Sequence, residues 1–174
     1  MFAFAKLEDM VIQRVLDKVV AIRGKFNYTV DLGCGEGKYW LKKYTKYLVG
    51  VDHRWKDLIV AKHYHGYNEV FTMDMRNFQI PAQCDSVLMI QSIEHIPKED
   101  GLKLIKSFGN RFILITTPSK FFPIARNGHV SLWTVNDFQQ LGFEVATFGG
   151  DSRYGKTIIA VRWLKWRWLK WMKR

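Results

Sequence analysis

The sequence predicts a doubly wound α/β domain: a mostly parallel, seven-stranded sheet with a C-terminal antiparallel hairpin. Three features predict it. Short apolar, β-branched runs recur along the chain, with segments of helical length between the first five; that alternation reads as βαβ units and a parallel sheet. The runs lack polar alternation, as expected of strands covered on both faces. Near the C-terminus the rhythm changes to two runs around a Gly-Gly-Asp-Ser turn at 149–152, which reads as a hairpin.

The elements follow in order. Leu7, Met10, Val11, Val15, Leu16, Val19 and Ile22 have helical spacing, so 6–23 reads as an amphipathic helix. Strands are expected at 28–33, 47–52, 69–74, 86–91 and 111–116, and helices near 37–45, 55–64 and 98–108. Pro97 suits the opening of the last of these helices. Thr134 and Asp137 stand at capping-box separation before a helix to about Leu141, with Asp in place of the usual Glu or Gln. The hairpin strands are 143–148 and 156–163.

A chain of 174 residues fits one domain and can bury a core without staples. Hydrophobic residues at 48% and charged residues at 25% exclude disorder. Cys34 and Cys84 lack the number for a disulfide framework and the spacing for a metal site, so a reducing, cytoplasmic setting is expected. The first residues show no apolar leader, and no apolar run reaches the length of a membrane span. Residues 1–164 are expected to form the domain, with 1–27 covering the sheet or the site, and 165–174 a basic, Trp-rich tail.

The net charge of +11 is concentrated. Residues 162–174 hold six basic side chains and no acid, while the rest carries 21 basic against 16 acidic. The body is thus a poor candidate for nucleic-acid binding on charge alone. On a helix, the tail places Leu164, Trp168, Leu169, Trp171 and Met172 on one face and its basic residues on the other, as in a helix lying on an anionic membrane. Its length of about 20 Å is too short to span. Two other readings stand: a packed extension of the last strand, and a single-stranded nucleic-acid contact with bases stacked on Trp.

The motif Asp31-Leu32-Gly33-Cys34-Gly35-Glu36-Gly37 falls where the first strand ends. Alternate glycines let the backbone turn sharply and approach a ligand. A helix from Gly37 is expected to point free N–H groups at that ligand. Lys38 stands where a dinucleotide loop needs its third glycine, and no Gly-Lys-Ser/Thr follows, so neither fingerprint is met. Asp52 ends the second run, where an acid accepts ribose hydroxyls, and Asp74 ends the third, within reach of an adenine amino group. Each acid alone reads as a strand-end cap; the spacing of the three points to one crevice.

On these residues the chain resembles the class I S-adenosylmethionine methyltransferases over about 28–164. VDLGCGEG resembles their first motif, GVDHR their second, TMDMRNF their third, and CDSVLMIQSIEHIPKEDG their fourth strand and loop. ITTPS resembles the end of their fifth strand, and GHVSLWTVNDFQQLGFEV the segment before the last helix in small-molecule members. The resemblance implies a Rossmann-like methyltransferase fold and S-adenosylmethionine as cofactor, released as S-adenosylhomocysteine. It implies cofactor contacts from Asp31, Gly33, Cys34, Gly35, Gly37, Asp52, His53, Asp74, Met75, Gln91 and Ser92.

Candidates for a general base are His95 first, because imidazole titrates near neutrality, then Glu94 and His129. The competing reading makes Glu94–Pro97 a loop cap and His129 a partner of the Trp133 segment. Small-RNA 2′-O-methyltransferases carry two glutamates and two histidines around a divalent metal. Here Gln91 replaces the first glutamate, and Asn127 and His129 stand where a histidine pair is expected. A neutral amide is a poor ligand for a hard cation, so no metal is expected.

The functional expectation is methyl transfer to a small-molecule or lipid-linked acceptor at a membrane surface. The alternatives are an RNA or protein methyltransferase docking through its tail, and a non-catalytic cofactor-binding domain. The acceptor pocket is expected from the N-terminal helix, the 92–98 loop and residues 117–133.

Overall fold

A computed structural model of the chain describes residues 2–120, 128–151 and 155–163. The chain opens with α1 (Phe2–Arg23) and then builds β1 (Phe26–Leu32), β2 (Thr45–Asp52), α2 (Trp55–His63), β3 (Glu69–Thr72) and β4 (Ser86–Ile90). It continues through α3 (Lys98–Ser107), β5 (Phe112–Pro118), α4 (Val135–Gln140), β6 (Glu144–Asp151) and β7 (Gly155–Arg162). The seven strands form one sheet in the order β3-β2-β1-β4-β5-β7-β6. The first five are parallel; β7 runs antiparallel between β5 and β6. All seven expected strands are present and the C-terminal pair is antiparallel as expected, but Gly149, Gly150 and Asp151, expected in the turn, belong to β6, where the pairing register shifts between Phe148 and Asp151.

Strand periodicity explains why the runs looked uniformly apolar. Val30, Leu32, Val49, Val51, Val87, Met89, Ile113 and Ile115 face one layer, with Leu104, Ile105 and Phe108 from the α3 region and Phe138 from α4. The residues between them, Leu48, Leu88, Ile90, Phe112 and Leu114, face α1 and α2. Both faces are buried, so neither register needs polar residues. The Asp85 carboxylate pins the amino end of the β1–β4 pair, accepting from the amides of Asn27 and Tyr28 and from Arg23.

Two expectations need correction. The helix at 37–45 is a short 3-10 turn, Tyr39–Lys43. β2 starts at Thr45, paired with Phe26, so the segment after Gly37 must reach the start of β2 within a few residues. In α1 the buried stripe is Ile12, Val15, Leu16 and Val19, while Leu7, Met10 and Ile22 are exposed. The stripe continues one turn back to Glu8, which is buried. Thr134 and Asp137 do form the reciprocal capping box. Trp163 rests against the α1 layer; the tail from 164 onward lies outside the described residues.

Candidate functional site

Strand order reverses between β1 and β4, and a crevice opens at the carboxyl ends there, as expected at a switch point. It holds a cavity of about 540 Å³, ample for a cofactor-sized ligand. Gly33, Asp52, His53, Asp74, Met75, Gln91, Ser92 and His95 line it, with Arg54, Met73, Arg76, Ile96 and Gly128.

Gly33 fixes the floor. Its amide donates to the Val51 carbonyl at 2.7 Å, and its φ of +72° lies in the left-handed region. A Cβ there would stand 2.5 Å from Ser92 Cβ and 3.1 Å from Met75 Cε. Ser92 is held in place by its own hydroxyl, which donates to the Leu32 carbonyl at 2.7 Å. Only glycine fits here, where the turn packs directly against Ser92 and Met75 on the cavity wall.

Asp52 is buried at the end of β2, with its carboxylate accepting from the amides of Gly35 at 2.8 Å and Arg54 at 2.9 Å. Arg54 Nε also donates to Oδ1 at 3.4 Å; together these bonds fix the carboxylate and leave Oδ2 a lone pair for one further hydroxyl donor. Exposed His53 stands beside it at 3.5 Å. Asp74 lies two residues beyond the end of β3, contrary to its expected place on the strand, and caps a 3-10 turn at Met75–Asn77. Arg76 clamps its carboxylate, with Nε 2.9 Å from Oδ2, and this bond holds Asp74 below the usual carboxylate range. The guanidinium also reaches Asp100, so an adenine amino group would share Asp74 with Arg76.

The remaining loop residues stand behind the cavity. Asp31 is 2% exposed and accepts the Tyr67 hydroxyl at 2.6 Å; its other oxygen has no partner among the described residues. Desolvation pushes Asp31 up to about 6, against the Tyr67 bond and the charge of Lys38. A Cβ on Gly37 would lie 2.5 Å from the Tyr67 ring. The Tyr67 hydroxyl also takes the Lys38 amide at 3.2 Å. Tyr67 thus occupies the space into which a helix N-terminus was expected to point. Cys34 lies against the Gly35 carbonyl, its thiol pushed up by burial.

Glu94, His95 and His129 converge at the cavity's far edge, with one ligating atom of each within 4.8 Å of the others. The His rings meet edge to face at 4.9 Å. Glu94 is 1% exposed; Thr117 donates to one oxygen at 3.2 Å, and the other has no partner among the described residues. Burial pushes this carboxyl up to about 8. Burial and then the neighbouring His95 push His129 down. The Glu94 carbonyl accepts the amides of Val130 and Ser131, which ties the His129 segment to the β4 loop. Gln91, at φ +52°, donates its amide to Glu8 Oε1 at 2.8 Å.

Glu8, Tyr67, Arg54 and Arg76 were not singled out from the sequence. Glu8 carried one signal, a carboxylate in line with the buried stripe of α1. Arg54 and Arg76 sat inside the recognised second and third motifs.

No family model and no curated protein sequence matches the chain. Solved structures do. An N-methyltransferase, NodS, from Bradyrhizobium japonicum superposes at a TM-score of 0.67 with 12% identity, over 88% of this chain and 94% of that one. The chain has the class I S-adenosylmethionine methyltransferase fold. Magnesium protoporphyrin IX methyltransferase from Synechocystis, solved with S-adenosylmethionine bound, gives 0.58 with 22% identity, over 86% and 79% of the two chains. An amino pentose methyltransferase of calicheamicin biosynthesis from Micromonospora echinaspora gives 0.61 with 15% identity, over 86% and 89%.

Proposed function

We propose that this protein transfers a methyl group from S-adenosylmethionine to a small-molecule acceptor. The observation that carries this is the switch-point cavity, where Gly33, Asp52 and Ser92 meet on a fold shared with enzymes of that class. The residues fit the cofactor. Asp52, on the cavity wall, keeps a lone pair on Oδ2 for a ribose hydroxyl.

When bound, S-adenosylmethionine supplies an electrophilic methyl group on a sulfonium. The chain's task is alignment and exclusion of water, which can supply about 7–11 kcal/mol at most. Gly33 and Ser92 set the floor, Met75 adds an apolar wall, and Asp52 fixes the ribose. The acceptor enters from the side of His95 and Gly128, and its proton leaves toward the Glu94–His95–His129 cluster. A lipid-linked acceptor, reached through the 162–174 tail, is the finer form of this reading; among the described residues no helix is long and apolar enough to cross a membrane.

Calorimetry with S-adenosylhomocysteine tests the cofactor: micromolar binding is expected, and none at millimolar ligand removes the reading. A labelled-methyl assay on small-molecule, lipid and RNA fractions then identifies the acceptor. His95→Ala is expected to retain cofactor binding and lose turnover by about 10²–10⁴-fold; equal turnover takes His95 out of the mechanism.

A further inference from the structure

We propose that Glu94, His95 and His129 form a binding site for one borderline divalent cation, of the Zn²⁺ or Co²⁺ class. The sequence argued against a metal because Gln91 and Asn127 stand where ligands were sought. The fold changes the count, because three donors from two distant segments converge within 4.8 Å. Two imidazoles and one carboxylate, with further positions open, suit such a cation better than Mg²⁺ or Ca²⁺, which prefer oxygen.

Three observations point to a ligand rather than a chance cluster. The first is the Glu94 oxygen that has no partner among the described residues, in a side chain 1% exposed. An unmatched buried carboxyl oxygen is costly, and a cation would match it. The second is the bond from His95. Its Nδ1 lies 3.1 Å from the Gly128 carbonyl, which can only accept, so the proton sits on Nδ1 and Nε2 keeps its lone pair. Ligating histidines are oriented in this way by a backbone carbonyl on the other nitrogen. The third is Glu8. It is buried on α1 and bonded to Gln91, and its charge reaches Glu94. A second carboxylate next to the site raises its negative potential without occupying a ligand position. With the cation bound, His95 is a ligand and not the acceptor's base; the cation would sit beside the cofactor cavity, where an acceptor hydroxyl could complete its coordination and lose its proton more readily.

The site does not depend on methyl transfer, so its test is binding. Metal-stripped full-length protein is titrated with Co²⁺, read by visible absorption, and with Zn²⁺, read by calorimetry and by melting temperature. One equivalent is expected to bind with a visible cobalt spectrum and a raised melting temperature. His129→Ala and Glu94→Gln should each weaken binding by about a hundredfold or more, beyond the 10–100-fold cost of losing an outer partner. Glu8→Gln should weaken it by about tenfold while keeping the cobalt spectrum. Melting of each variant without metal checks that it folds; if Glu94→Gln does not, His95→Ala takes its place. Absence of a cobalt spectrum in the wild type, or affinity unchanged in the folded variants, overturns the site. Cofactor binding measured separately keeps that failure distinct from failure of the methyltransferase reading.

Discussion

The Tyr67 hydroxyl donates to the Asp31 carboxylate at 2.6 Å, in the interior directly behind the glycine loop. Desolvation outweighs this bond and the charge of Lys38, and lifts Asp31 from 3.8 to about 6. Between these values the native chain holds a proton that the unfolded chain has lost. The contribution of Asp31 to stability is therefore greatest below about pH 4 and falls as pH rises through the window. It levels off above about 6, having lost about 3 kcal/mol. Urea melts of the wild type and of Asp31→Asn should diverge in that sense between about pH 4 and 6.5. Parallel pH profiles would show that Asp31 does not titrate in this window.

Gly101 makes a second, purely steric prediction. It lies inside α3, where Ala would gain about 1 kcal/mol in helix propensity. A Cβ there would stand 2.6 Å from Trp133 Cζ2 and 3.2 Å from Cη2. Trp133 has no room to retreat, since it is stacked on Phe138 and its indole N–H donates to Ser131 at 3.0 Å. Overpacking costs about 1–3 kcal/mol and outweighs the propensity gain, so Gly101→Ala should lower stability by up to about 2 kcal/mol. A raised melting temperature would mean that the ring yields.

The strands were legible because both faces of the sheet are buried, so short β-branched apolar runs such as Phe112–Ile115 carry no polar alternation. Asp52 and Gly33 were legible because a strand end and a sharp turn dictate their place. The segment after Gly37 was not, because its form depends on where β2 begins, and Thr45 is fixed by pairing with Phe26 across the sheet. Periodicity in α1 gave a helix but misplaced its buried face, since apolar Leu7 and Met10 stay outside while Glu8 turns in toward Gln91. The meeting of His95 with His129 is a tertiary fact, made by Glu94 carbonyl bonds to Val130 and Ser131 that spacing does not encode.

Asp52 gives the sharpest test of the cofactor cavity, because its carboxylate serves the loop and the ligand together. Oδ2 takes the Gly35 amide at 2.8 Å and Oδ1 the Arg54 amide at 2.9 Å. Asn in this place keeps one acceptor and turns an NH₂ toward the other amide, leaving two donors face to face. That loss should cost about 1–3 kcal/mol of stability. Toward the ligand, a neutral carboxamide replaces a charged acceptor of ribose hydroxyls, and hydrogen bonds to charged groups contribute about 1.5–3 kcal/mol. S-adenosylhomocysteine should therefore bind Asp52→Asn about 10–100-fold more weakly, measured by calorimetry well below the variant's melting temperature so that unfolding does not mimic the effect. Stability lost with affinity unchanged would confine Asp52 to holding Gly35 and Arg54, and would move the ribose contact elsewhere in the cavity.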